Sequence, residues 1–399
     1  MSCHVCLWYP HILFSNESGE AMTTVHDSIP PDVAAHNQLE RDDWAPSTSP
    51  STDLLTTIPE FQELYDDPTV EEIWINEPGR IFVARAGKSE LTSLILNSTQ
   101  VRIIAEQLLA VSGRRIDVSH PFADATLADG SRLHIAIPDI TRRHWSINIR
   151  KFTVRSHTLQ QLVEIGSLTR QAASFLQGAV NAGLNLVISG ATQSGKTTLM
   201  NALLNSAPAH ERIITCEEVF ELQLTSPDWV AMQTRQPSLE GTGEVTLRQL
   251  IKEALRMRPS RLVIGEVRQE ECLDLLIAMN SGLPSMCSIH ANNIQATLAK
   301  MCLLPMLAGN NVSADFVVPT VASVVDLVVH TKLDAHGLRH VTAISRVTGR
   351  VVGQTVESHT IFDRTRGELL PTGNLSELEG LSGLPREKFI QILRGELWV

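Results

Sequence analysis

A glycine-rich loop joins a predicted strand to a predicted helix and carries the clearest chemical signal in the sequence. The loop reads Gly190-Ala191-Thr192-Gln193-Ser194-Gly195-Lys196-Thr197, with Thr198 opening the helix. The glycines let successive backbone N–H groups point inward, and the helix N-terminus favours an anion. In this pattern the lysine contacts the terminal phosphates and the hydroxyl of Thr197 binds magnesium. Residues 190–198 therefore predict binding of ATP with Mg²⁺.

Hydrolysis also needs a carboxylate that positions water or holds magnesium. Glu266 follows the apolar run 261–265 and is favoured for both tasks, while Glu217 and Glu218 follow the run 212–216 and could share the activation of water. Glu221 lies a few residues further on. The carboxyl ends of parallel strands open onto one crevice, so these side chains are expected near the loop. The alternative for each is a surface glutamate after a strand.

A histidine in the segment 288–292 is a further candidate. His290 follows a stretch of small residues. An imidazole near a terminal phosphate can report whether that phosphate is present. A purely structural histidine is the alternative.

The predicted elements place these residues at one edge of a sheet. Apolar runs at 184–189, 212–216 and 261–265 alternate with helical stretches, which indicates a mostly parallel sheet covered on both faces. Upstream, turn pairs at 78–79 and 129–130 separate strand-like runs and predict two hairpins. Between the hairpins, Ser98 can cap a helix that ends before Gly113. The fold class is therefore α/β, with a small α+β domain before the nucleotide-binding core.

Composition shifts suggest four segments. Residues 1–53 lack periodicity, contain a polar and proline-rich stretch at 44–52, and are expected to be a disordered leader. An N-terminal α+β domain is expected at 54–155, a linker at 156–163, and the nucleotide-binding domain with a C-terminal extension at 164–399. The first helix of that domain is predicted at about 169–182, with Ser167 near its start.

Charge and hydropathy narrow the class of partner and the location. The net charge of -11 disfavours nucleic acid and anionic lipid as direct partners. No run of about 18 apolar residues is present, so a soluble or peripheral protein in the cytoplasm is expected. The cysteines at 216, 272, 287 and 302 are expected to be buried free thiols, and the Cys3/Cys6 pair is interpreted as incidental.

The order of these motifs resembles that of the secretion-type motor ATPases. Residues 190–197, 216–224, 255–268 and 288–292 are similar to the family's Walker A loop, its acidic box, its Walker B strand ending in glutamate and its histidine box. Segments 113–117, 121–132 and 146–152 resemble the family's N-terminal domain. More narrowly, the chain resembles the Tad/Flp pilus assembly branch of the type II/type IV secretion ATPase superfamily.

The resemblance implies a RecA-like core and a homo-hexamer, with nucleotide held between the N-terminal and RecA-like domains. It also implies that Arg132 and Arg150 reach the phosphates from the N-terminal side. The implied function is an ATP-hydrolysing motor for pilus assembly or protein secretion, acting through an inner-membrane platform protein and associating with the inner face of the membrane through that partner. The alternatives are a RecA-like nucleic-acid translocase, which the acidic charge disfavours, and a nucleotide-binding scaffold without turnover.

Two departures from the family pattern stand out. Residues 282–285 read Gly-Leu-Pro-Ser where the family usually has Gly-His-Asp-Gly, so a first histidine is missing. The four-cysteine zinc module of the type II secretion and pilus-extension branches is also absent from the sequence. This second absence favours the Tad/Flp branch.

Overall fold

The computed structural model describes residues 58–85, 87–151, 158–237, 241–365 and 367–372. The predicted leader, Cys3 and Cys6, and most of the expected C-terminal extension lie outside these residues. All the described residues belong to one compact unit that begins at Ser51. Among them, no helix is both long and apolar enough to cross a membrane.

The N-terminal sheet has six antiparallel strands in the order β3-β2-β1-β6-β5-β4. Its strands are β1 Val70–Glu77, β2 Arg80–Arg85, β3 Lys88–Leu91, β4 Phe122–Thr126, β5 Arg132–Ala136 and β6 Ser146–Arg150. Two helices accompany it, α1 Pro59–Asp66 and α2 Ser98–Ser112. Apolar side chains from the sheet and from both helices form one core.

Both hairpins predicted in this region are confirmed, since Ile73 pairs with Val83 and Ala123 pairs with Ile135. The predicted cap of α2 is wrong by one residue. The side chain of Asn97, not Ser98, accepts a hydrogen bond from the Gln100 amide at 2.9 Å, and the Gln100 side chain accepts one from the Asn97 amide at 2.8 Å. This reciprocal pair satisfies two backbone donors, which explains why the helix starts there.

The large sheet has nine strands in the order β15-β14-β13-β12-β7-β11-β10-β8-β9. They are β7 Leu186–Gly190, β8 Ile213–Glu217, β9 Trp229–Gln233, β10 Arg261–Val267, β11 Ser285–His290, β12 Leu327–Leu333, β13 Arg339–Val352, β14 Thr355–Thr365 and β15 Glu368–Pro371. The strands from β12 to β9 in this order are parallel, and β13 to β15 add an antiparallel extension.

Helices cover both faces of the large sheet, as predicted. They are α3 Leu159–Glu164, α4 Arg170–Asn181, α5 Lys196–Leu204, α6 Leu247–Ala254, α7 Glu271–Asn280, α8 Ile294–Leu303 and α9 Ala314–Val324, with short 3-10 turns at Leu255–Met257 and Leu304–Ala308. Leu186 and Ile188 of β7 belong to one apolar core and Val187 to another. This alternation is what a strand buried on both faces requires.

Two local expectations are corrected between the sheets. Helix α3 occupies part of the segment predicted as a linker, and the Thr158 side chain caps it. Thr169, rather than Ser167, caps α4, because the Ser167 hydroxyl instead donates to the Arg339 carbonyl at 2.6 Å. Of the four core cysteines, those at 216, 272 and 287 are buried as predicted, whereas Cys302 is only partly buried.

Candidate nucleotide site

The glycine-rich loop starts where β7 ends, and its first glycine has no room for a side chain. A Cβ atom at Gly190 would lie 2.4 Å from the Ser194 hydroxyl and 2.4 Å from the Thr331 hydroxyl. The same two hydroxyls hydrogen-bond to each other at 2.8 Å. A small residue is therefore needed for the loop to close tightly over the end of the sheet.

The crown of the loop, residues 192–195, contains two left-handed backbone conformations. Gly195 has φ 93° and Gln193 has φ 62°. Glycine adopts such angles freely, whereas a glutamine does so only when its surroundings hold it there. The contacts that hold Gln193 are described below.

Lys196 is the cation inside the loop and is only 8% exposed. Its Nζ donates to the Ala191 carbonyl at 3.1 Å and lies 3.1 Å from His290 Nδ1. Burial lowers the pKa of the Lys196 ammonium. Burial and the charge of Lys196 also lower the pKa of His290, so the neutral imidazole can accept a hydrogen bond from the ammonium at Nδ1.

His290 connects Lys196 to the carboxylate that was favoured from the sequence. Strand β11 lies between β7 and β10, which brings His290 beside Gly190 and within reach of Glu266. His290 Nε2 is 2.7 Å from Glu266 Oε1 in a close contact, although Oε1 has no well-directed hydrogen-bond donor among the described residues. Oε1 is therefore buried beside His290 with acceptor capacity that no described residue uses fully.

The other oxygen of Glu266 is paired. Arg268 donates from Nε to Glu266 Oε2 at 2.7 Å and from Nη1 to Glu218 Oε2 at 2.5 Å. Glu218 thus lies at the site but is bound to a guanidinium. The sequence predicted that Glu266 follows the strand. In the structure Glu266 belongs to the strand, because β10 continues to Val267.

Thr197 contacts a glutamate that was not among the predicted site residues. Its hydroxyl donates to Glu221 Oε2 at 2.9 Å, and the other oxygen of Glu221 is 2.7 Å from Arg132 Nη2. Arg132 Nε is buried and has no hydrogen-bond partner among the described residues. A partly buried guanidinium with an unused donor suits a site that takes an anion.

Glu217 holds the backbone of the turn that carries Glu221. It is 1% exposed, and its Oε2 accepts the backbone N–H groups of Glu221 and Leu222 at 2.8 and 2.9 Å. Burial raises the pKa of the Glu217 carboxyl to about 7. We therefore place Glu217 as the residue that shapes the turn bearing Glu221, with one oxygen committed to the backbone.

The N-terminal sheet brings three charged residues to the same cavity. Glu72 of β1, Arg150 of β6 and Arg132 of β5 are neighbours across adjacent strands, so their side chains lie on one face. Arg150 Nε is 3.6 Å from Glu72 Oε1. The two arginines predicted to act from the N-terminal side therefore lie in one row.

A cavity of about 660 Å³ lies between the N-terminal and large sheets. Its walls include the described candidates of both sheets, namely Arg132, Arg150, Thr192, Gln193, Ser194, Gly195, Lys196, Thr197, Thr198, Glu217, Glu218, Glu266 and His290. Gly190 and Ala191 form the base of the loop behind this wall. The volume is in the range of small-molecule sites.

The residues present fit a nucleotide triphosphate with magnesium. Lys196, Arg132, Arg150 and Arg268 supply positive charge around the cavity, and the helix α5 begins at the loop. The described residues contain no cluster of three or more metal-ligating side chains. Mg²⁺ at a nucleotide commonly binds through one or two protein ligands together with phosphates. Thr197 and Glu266 remain the candidate protein ligands.

Two residues of the site were missed from the sequence, Arg268 and Glu72, whereas Glu221 was named there only as one of the glutamates after the strand. Arg268 could have been found, because it follows Glu266 by two residues at the end of the same strand, where side chains return to one face. Nothing local singled out Glu72, whose role depends on contact with a distant loop.

Comparisons with known proteins identify the family of the chain. A family model described as type II/IV secretion system protein matches residues 59–362. A conjugal transfer protein of Mycobacterium tuberculosis H37Rv is 31% identical over 320 residues, 78% of this chain and 85% of the relative. The type IV secretion system protein VirB11 of Bartonella quintana is 28% identical over 317 residues, 70% of this chain and 89% of the relative.

A solved structure shares the fold. The ATPase DotB of Yersinia pseudotuberculosis superposes with a TM-score of 0.52 at 17% identity, covering 76% of this chain and 80% of that one. At this identity the likeness concerns the fold alone, a RecA-like P-loop core with a preceding N-terminal domain. The matching family model spans most of the chain, and the chain belongs to the type II/IV secretion system protein family.

Proposed function

We propose that this protein is an ATP-hydrolysing motor that powers pilus assembly or protein secretion. The observation that carries the proposal is the convergence of Lys196, Arg132, Arg150 and Glu266 on one cavity between the two sheets. Cations from both sheets facing one phosphate loop suit a reaction in which negative charge develops on phosphate oxygens.

The position of each residue in the cavity indicates its proposed role. Lys196, held inside the loop, neutralises charge on the terminal phosphates, and the Arg132 guanidinium lines the cavity from the opposite side. Bound Mg²⁺ would add further charge neutralisation, with the Thr197 hydroxyl as its protein ligand. Glu221 holds that hydroxyl and Arg132 in register, since it contacts both.

Glu266 is the proposed activating carboxylate. Its Oε1 has no well-directed hydrogen-bond donor among the described residues, while Arg268 fixes Oε2. Water would reach Oε1 when His290 moves away from it. Glu218 and Glu217 are weaker candidates, because Glu218 is bound to Arg268 and Glu217 Oε2 is committed to two backbone amides. His290, between Lys196 and Glu266, is proposed to link the state of the phosphate loop to the position of the carboxylate.

The proposed assembly is a homo-hexamer that works through an inner-membrane platform protein on the cytoplasmic side, as in the Tad/Flp branch. Support comes from the family and from relatives named for conjugal transfer and type IV secretion. The acidic net charge supports association through a protein partner rather than direct binding to nucleic acid.

ATP turnover by a Lys196→Ala variant tests the proposal. Turnover should disappear while the melting temperature without nucleotide stays near wild type, because the ammonium faces the loop interior. The control is Lys88→Ala, which removes a lysine from the exposed strand β3. Wild-type turnover in folded Lys196→Ala would disprove the assignment of the site.

Two further measurements test the motor and its class. Sizing with and without nucleotide should reveal a hexamer, and addition of the membrane platform should stimulate turnover. Salt-sensitive stimulation by single-stranded nucleic acid would instead favour a translocase.

A further inference from the structure

The crown of the phosphate loop is held by contacts from the N-terminal sheet and from strand β13 of the large sheet. The Gln193 side chain donates from Nε2 to Glu72 Oε1 of the N-terminal sheet at 2.8 Å. On its other side, the Gln193 carbonyl accepts a hydrogen bond from Arg339 Nε at 2.9 Å. These two contacts explain how a non-glycine residue stays in the left-handed conformation at this point.

Arg339 connects the crown to the N-terminal sheet by a second route. Its Nη2 is 3.2 Å from Glu71 Oε2, and the same oxygen accepts the Gly87 amide at 3.0 Å. The aliphatic part of Arg339 also covers Gly195, where an added Cβ would lie 3.4 Å from Arg339 Cβ. One arginine thus contacts the crown at two residues and the N-terminal sheet at a third.

A β-bulge allows two consecutive glutamates to take part. In the pairing of β1 with β2, Val70 is opposite Arg85 and Glu72 is opposite Ala84, which leaves Glu71 as the extra residue. Adjacent residues of a regular strand point to opposite faces, and a bulge redirects one of them. Glu71 and Glu72 therefore both reach the phosphate loop side.

We propose that Arg339, Glu71 and Glu72 form a latch that holds the phosphate-loop crown in its binding geometry. The N-terminal sheet then sets the affinity for nucleotide through loop geometry, in addition to the charge that Arg132 and Arg150 supply. The latch rests on the proposed function, since it concerns the same nucleotide site. Arg339, Glu71 and Glu72 are positioning residues that act through Gln193.

The latch predicts a kinetic signature that differs from that of the arginines. Holding the loop favours ground state and transition state alike, so its loss should raise KM for ATP more than it lowers kcat. Loss of Arg132 should instead lower kcat more than it raises KM, because charge grows in the transition state. A defect that merely weakened the fold would lower the melting temperature without separating KM from kcat in this way.

The experiment measures the Kd of the full chain for MgADP by titration calorimetry, together with kcat and KM for ATP. Arg339→Ala should raise both Kd and KM about tenfold, the lower end of the effect of losing one charge-assisted hydrogen bond. Arg350→Ala is the matched control, because Arg350 lies on the same strand β13 and pairs with Glu357. That variant should match wild type.

A second variant and a coupling test guard against misfolding. Glu71→Gln keeps the size of the side chain and should raise Kd severalfold, and combining it with Arg339→Ala should add little, since both remove the same contact. Wild-type Kd for MgADP in either single variant, or fully additive effects, would overturn the latch. Failure of Lys196→Ala to lose turnover would overturn the proposed function instead, so the two failures are distinguishable.

Discussion

Replacing Arg132 by alanine tests whether the N-terminal sheet takes part in catalysis. Arg132 reaches the cavity from β5, with Nη2 at 2.7 Å from Glu221 Oε1 and a buried Nε that has no partner among the described residues. When a phosphate accepts from this guanidinium, the interaction is a hydrogen bond between charged groups. Arg132→Ala should therefore lower kcat for ATP more than it weakens binding.

The size of the effect follows from the contact. A hydrogen bond to a charged group contributes about 1.5–3 kcal/mol, which corresponds to a loss of about 10- to 150-fold in kcat. Arg150→Ala should also lower kcat, because Arg150 lines the same cavity and lies beside Arg132 on the neighbouring strand. Arg132→Lys should fall between wild type and alanine, since lysine keeps the charge without the planar fork.

The assay is steady-state phosphate release with a parallel Kd for MgADP. Arg102→Ala is the control, because Arg102 belongs to the same N-terminal region but pairs with Glu106 on the surface of α2. Wild-type kcat in Arg132→Ala, or a rise in KM with kcat unchanged, would refute a role in the transition state and leave Arg132 as a binding residue.

Three further changes test other parts of the site. Glu266→Gln should keep the Kd for MgADP and lose turnover, because an amide cannot accept the proton; loss of binding would indicate a role in holding magnesium. The pKa of Glu217 is raised from 4.5 to about 7. The native state then binds more protons than the unfolded state between these values, and stability falls as pH rises. Between pH 4.5 and 8, the free energy of unfolding of Glu217→Gln should fall by about 3 kcal/mol less than that of wild type, as measured by urea unfolding. An equal fall in both proteins would contradict the raised pKa of Glu217. Gly190→Ala should abolish nucleotide binding and cost about 1–3 kcal/mol of stability, while Gly79→Ala, with no atom within 4 Å, should do neither.

The sequence alone determined the elements whose signals are local. The phosphate loop, both N-terminal hairpins and the helix ending at Gly113 each depend on turn residues, caps or periodicity within a few residues. The approximate positions of Glu266 and His290 followed from the same reasoning, because parallel strands open at one edge. Small errors remained where two polar residues compete for a cap, as Asn97 and Ser98 do.

The tertiary structure decided which of the acidic residues faces which partner. Side chains alternate between the two faces of the sheet only as far as the end of β8. The sequence alone therefore could not show which of Glu217, Glu218 and Glu221 faces the phosphate loop. That assignment follows from Glu217 accepting two backbone amides, which turns the chain and brings Glu221 to Thr197.

Local sequence patterns also could not predict the contacts between the two sheets. Gln193 and Glu72 are 121 residues apart, and Arg339 and Glu71 are 268 apart. Their meeting depends on a bulge in β1 and on how two separately formed sheets pack. Periodicity encodes which face of an element is buried, but not which residue of a distant element lies opposite, and for that reason only the folded chain shows how the phosphate-loop crown is held.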